Sequence, residues 1–151
     1  MRASLSVLLA FATGCGPYVR VAEPAPRSSR EVEASFSNVW DAAIDVFSQQ
    51  NIGIKTLDRA SGLIVAETAE VDGFRNLRVK EWSECDGGLS PNRVAYNLVI
   101  RGDSTRATVR ASALWQSKAY SDGTPRCISK GAWEEGIEAS IAARALTKKT
   151  R

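Results

Sequence analysis

The chain has 151 residues, 44% of them apolar and 25% charged, which is room for a single globular domain. Lys and Arg number 20 against 17 Asp and Glu, an excess too small to point to nucleic acid. There is no histidine, which excludes Ser-His-Asp and Cys-His nucleophilic sites and every zinc site built on imidazole.

The chain opens on Met1-Arg2, followed by an apolar run from Leu5 to Ala12 and then Thr13-Gly14-Cys15. The run is too short for a membrane-spanning helix, which needs roughly twenty residues, and it suits the apolar core of a signal peptide. Ala12-Thr13-Gly14-Cys15 resembles the lipobox of bacterial lipoproteins. That resemblance implies a signal peptide over residues 1–14, with acyl chains carried on Cys15 as the first mature residue. Gly16 is not the Asp linked to inner-membrane retention, so the resemblance implies an outer-membrane address facing the periplasm.

Residues 15–34 are rich in Pro, Ser and charge and show neither a helical nor a strand period. They read as a flexible tether, with a fully extended reach of about 60 Å. The globular domain is then expected over residues 35–148.

Phe36, Val39, Trp40, Ala43, Ile44 and Phe47 recur at helical spacing, with Ser37 as the expected N-cap and an end near Gln50-Asn51. Ile52 to Leu57 and Leu63 to Thr68 read as a hairpin around Asp58-Arg59-Ala60-Ser61-Gly62. Phe74 to Trp82 alternates weakly through Leu77 and Val79 and is expected as a third strand. In the next strand Val94, Tyr96, Leu98 and Ile100 share a face. In the fifth, Ala107, Val109, Ala111, Ala113 and Trp115 alternate with polar residues. Small alanines on that inner face let a helix come close. The last helix is expected from about Lys130 to Leu146, with Trp133, Ile137 and Ile141 as its buried stripe. The order α-β-β-β-β-β-α predicts an α+β two-layer sandwich: an antiparallel sheet of about five strands with two helices on one face.

Cys85 follows the third expected strand and Cys127 follows the fifth. In an up-down-up meander both ends fall at the same edge of the sheet, so the pair is expected to form a structural disulfide in an exported protein. Closing that loop is worth about 4 kcal/mol in the chain-entropy model. Without a Cys-x-x-Cys pattern, a redox role is not expected.

Val39-Trp40-Asp41-Ala42-Ala43-Ile44-Asp45, then Ile54 to Ile64, and Cys127 to Glu134 together resemble bacterial envelope lipoproteins of a particular type. These are the lipoproteins found as the C subunit of the outer-membrane β-barrel assembly machinery. The resemblance covers residues 36–67 and 127–141 and implies a helix-grip-like domain with no catalytic residues to carry over. This chain has one such domain where the subunit has two, and it adds a cysteine pair.

Paired acids at Glu67/Glu70 and Glu134/Glu135 read as a strand end and a helix first turn. Glu81, Glu84 and Asp86 lack the ligand spacing of a calcium loop. Asp72-Gly73 and Asp86-Gly87-Gly88 read as turns. No metal or cofactor is expected. Trp82 and Tyr120 fall near the disulfide end and are candidates for a partner-binding patch. The functional expectation is a non-enzymatic, lipid-anchored protein-binding or scaffold module, held to the membrane by its acyl chains. The alternative is an apolar ligand pocket of helix-grip type, lined by Ala107, Ala111 and Ala113.

Overall fold

A computed structural model describes residues 19–23, 26–72, 77–118 and 125–149. Its elements are β1 (Arg30–Val32), α1 (Phe36–Gln49), β2 (Ile54–Asp58), β3 (Leu63–Ala66), β4 (Ala69–Glu70) and α2 (Leu77–Trp82). They continue with β5 (Ser83–Cys85), a 3-10 turn (Asp86–Gly88), β6 (Arg93–Gly102), β7 (Ala107–Gln116), β8 (Cys127–Ser129) and α3 (Ala132–Lys149). The main sheet is antiparallel in the order β1-β7-β6-β3-β2, with β4 also pairing to β6. β5 and β8 form a separate two-stranded ladder. The expected α+β sandwich is the observed fold.

The alternation along β6 and β7 sets the inner face. Val94, Tyr96, Leu98 and Ile100 are buried, as are Ala107, Val109, Ala111 and Trp115 on the facing strand. α1 lays Val39, Trp40, Ala43 and Phe47 on this layer, and α3 lays Trp133, Ile137 and Ile141 beside them. Asp45 ties the two helices together, accepting from Arg144 at 3.0 Å and from Lys148 at 2.9 Å.

Local chemistry fixes the ends. Ser35, not Ser37, caps α1, its side chain accepting the Asn38 N–H at 3.3 Å. Ser37 lies within the first turn, and its hydroxyl accepts from Arg59 at 2.9 Å instead. At the other end Asn51 takes a left-handed φ of 54°, and Ile52 N–H reaches back to Phe47 at 2.9 Å, a Schellman closure. Gly62 turns the β2–β3 hairpin at φ 66°, where a Cβ would stand 2.0 Å from the Ile100 carbonyl oxygen.

Two further expectations are corrected. The segment expected as a third strand forms α2 over Leu77–Trp82; residues 73–76 lie outside the described residues. Val79 and Trp82, three apart, face the core across one helical turn, and so few apolar positions fit either period. The expected tether does not stay free up to residue 34. Arg30–Val32 pairs with Ala107–Val109 as an edge strand, and Val32 and Ala34 are buried in the core. Three residues are too short for a period, but pairing to an edge needs backbone groups only.

Candidate functional site

β5 and β8 place Cys85 opposite Cys127 in their ladder, and the two are joined by a disulfide with S–S 2.05 Å. The geometry is not the one the meander implied. The cysteines sit on their own small ladder, because the segment before Cys85 is a helix.

Asp86, next to the bridge, organises this end. Its carboxylate is buried and accepts the Val21 N–H at 2.7 Å and the Arg126 N–H at 3.4 Å. Its own N–H donates to the Arg126 carbonyl at 2.9 Å. Gly87 N–H donates to the Val19 carbonyl at 3.0 Å, and Arg126 pairs with Glu23 at 2.9 Å. Residues 19–23 are therefore strapped onto the turn that follows Cys85. Of the other two acids once grouped with Asp86, Glu84 lies 3.8 Å from Lys130, and Glu81 is exposed. Among the described residues no acidic or sulfur cluster could hold a metal ion.

Trp82 is half-buried and belongs to an aromatic row. Its ring lies 6.4 Å from Trp115; Trp115 meets Tyr96 edge-on at 6.3 Å, and Tyr96 stacks on Trp133 at 3.9 Å. Burial, with the Glu134 charge adding to it, pushes the Tyr96 phenol up to about 12. Tyr120 and Cys15 lie outside the described residues. Trp82 thus spends much of its ring on the core.

Glu134, expected in the first turn of the last helix, and Glu138, for which the sequence suggests no role, are both buried. Beyond Val109, β7 runs on past the end of β1. There Glu138 accepts the Ala111 N–H at 2.9 Å and Glu134 accepts the Ala113 N–H at 3.2 Å. Both carboxylates are buried, at 2% and 3% exposure. Arg27 pairs with Glu138 at 3.2 Å, and Ser129 Oγ donates to Glu134 at 2.8 Å. Four residues apart on α3, the two carboxylates continue the edge that β1 leaves, so that the sheet does not offer these donors to another strand. The available signal was their placement one residue after Trp133 and Ile137, within the buried stripe. Glu135 is exposed, and so are Glu67 and Glu70.

The sheet face opposite α1 and α3 is open among the described residues. Register places Leu63 beside Val99 and Val99 beside Arg110; Val65, Asn97 and Ser112 make the next row, and Ala95 with Leu114 the one after. Leu63, Val65, Ala95 and Val99 are half-buried, and Leu114 is 57% exposed. Arg93, Arg101 and Arg110 stand exposed on the same face; exposed Glu70 lies opposite Arg93 in register, and Glu31 and Asp58 lie at the margins. Leucine and valine between arginines and acids make a surface with apolar contact area and charges of both signs.

No protein-family model and no curated protein matches this chain.

Proposed function

We propose that this chain is a lipid-anchored, non-enzymatic envelope lipoprotein that faces the periplasm and presents its domain as a protein-binding or scaffold module. The observation that carries this reading is the apolar run ending in Ala12-Thr13-Gly14-Cys15. The Cys85–Cys127 bridge supports export, since such bridges persist in oxidising compartments. The likeness of residues 36–67 and 127–141 to the C-subunit lipoproteins of the barrel-assembly machinery agrees with an outer-membrane address.

The surface assigned to the partner is the open sheet face around Leu114, Val99 and Leu63. Its apolar centre and charges of both signs favour a partner whose contact surface is apolar with a polar rim. The apolar-ligand alternative is less well supported. Ala107 and Ala111 are buried, α3 bonds directly to the β7 backbone at Ala111 and Ala113, and Trp133, Ile137 and Ile141 fill the layer between.

Mass spectrometry of the mature protein tests the anchor. The expected result is an acylated N-terminal Cys15 and a gain of two hydrogens when the remaining cysteines are reduced. An uncut, unacylated chain beginning at Met1 overturns the reading. In-cell photo-crosslinking from Leu114 tests the partner face: a discrete protein product supports it, and its absence overturns that assignment.

A further inference from the structure

The acylated residue of the proposed function lies only four positions before Val19. Four residues span at most about 14 Å. Val19 is held by Gly87, Val21 by Asp86 and Glu23 by Arg126, all at the turn beside the disulfide. The anchor therefore does not work through a long leash. The domain is moored close to the lipid by one defined end.

From these contacts we infer that the end formed by the Asp86–Gly88 turn and the Cys85–Cys127 bridge is the surface turned to the bilayer; this rests on the proposed acylation of Cys15. The side chains of that end suit a lipid headgroup layer. Val19 is 66% exposed and Leu89 is 37% exposed, and the two flank the same turn in sequence or through its hydrogen bonds. Arg20 and Arg126 are exposed beside them, Arg126 in an ion pair with exposed Glu23. Apolar tips with basic neighbours dock at the boundary of headgroups and acyl chains, about 5–10 Å deep.

The geometry also says where the rest of the molecule goes. Ser117 Oγ donates to Ser90 at 2.9 Å, which places the C-terminal end of β7 and the start of β6 near the turn. The Gly102–Arg106 hairpin closes the far end of these strands, ten residues of β6 away, or about 30 Å. With the bridge end on the lipid, the row of Ala95 and Leu114 lies nearer the membrane, and the row of Val99 and Leu63 stands farther out towards the Gly102–Arg106 hairpin.

The test uses the full-length acylated protein, verified by mass spectrometry, in vesicles of phosphatidylethanolamine and phosphatidylglycerol. Benzoylphenylalanine is placed at Leu89 in one sample and at Ser104 of the far hairpin in another. The expected result is lipid adduct at Leu89 and loss of adduct to background at Ser104. Val21→Pro removes the N–H that Asp86 accepts; with the strap released, adduct at Ser104 is expected to rise towards the Leu89 level. Equal adduct at the two positions in the parent protein overturns the inference while leaving the lipid anchor standing. A Leu89-only pattern that survives Val21→Pro overturns the role of the strap. Absence of acylation on Cys15 overturns the proposed function and this inference together.

Discussion

Glu138 of α3 accepts the backbone N–H of Ala111 at 2.9 Å while pairing with Arg27 at 3.2 Å, so one buried carboxylate joins a helix, a strand and the N-terminal segment. Glu138→Ala leaves a buried donor and a half-buried guanidinium without their acceptor. The expected loss is about 2–4 kcal/mol of folding stability, measured by urea unfolding. Glu138→Gln keeps an acceptor for Ala111 and is expected to lose less. Equal losses for the two variants contradict the edge-closing role.

Gly62 sits at φ 66° with the Ile100 carbonyl where a Cβ would be. Gly62→Ala must move the β2–β3 hairpin away from β6. It is expected to cost more than about 1 kcal/mol, seen as a lowered thermal midpoint. An unchanged midpoint contradicts the close approach.

Asp103 accepts backbone N–H bonds from Thr105 and Arg106, and these hold its carboxyl below its ordinary value of 3.8. Side-chain bonds from Lys148 and then Arg144 do the same for Asp45. A carboxyl depressed in the folded state adds stability above its unfolded value, and that stability fades as pH falls through the folded one. Stability is thus expected to decline through the acid range below pH 3.8. Asp103→Asn is expected to flatten part of that decline in denaturation series between about pH 5 and pH 2. An unaltered slope contradicts the assignment.

Removing the bridge by Cys85→Ala with Cys127→Ala is expected to cost about 4 kcal/mol of stability. The β5–β8 ladder also holds the turn to which residues 19–23 are bonded. Hydrogen exchange at Val21 is therefore expected to quicken more than exchange at Ile100. Uniform quickening contradicts a local role for the bridge.

Leu114→Ser combined with Arg110→Glu alters only the open sheet face. Stability is expected to stay within about 0.5 kcal/mol of the parent, as for exposed positions. Co-purification of the partner identified by crosslinking is expected to fall. Retention of the partner at full yield contradicts the assigned surface.

The sequence carried the two long strands well, because each has one dry and one wet face and a period of two is visible over ten residues. The stripes Val39–Phe47 and Trp133–Ile141 were legible for the same reason at helical spacing. What stayed hidden was short or paired by backbone alone. β1 has three residues, and α2 shows too few apolar positions to separate helix from strand. Glu134 and Glu138 were illegible because a charged residue on a helix ordinarily reads as solvated; here strand N–H groups stabilise each carboxylate in the interior.

The pairing of Arg27 with Glu138 spans 111 residues. An N-terminal segment made first must therefore wait for nearly the whole chain before it finds its place. The edge that β1 forms on β7 beside Arg27 is therefore completed late, once α3 has been made and has folded.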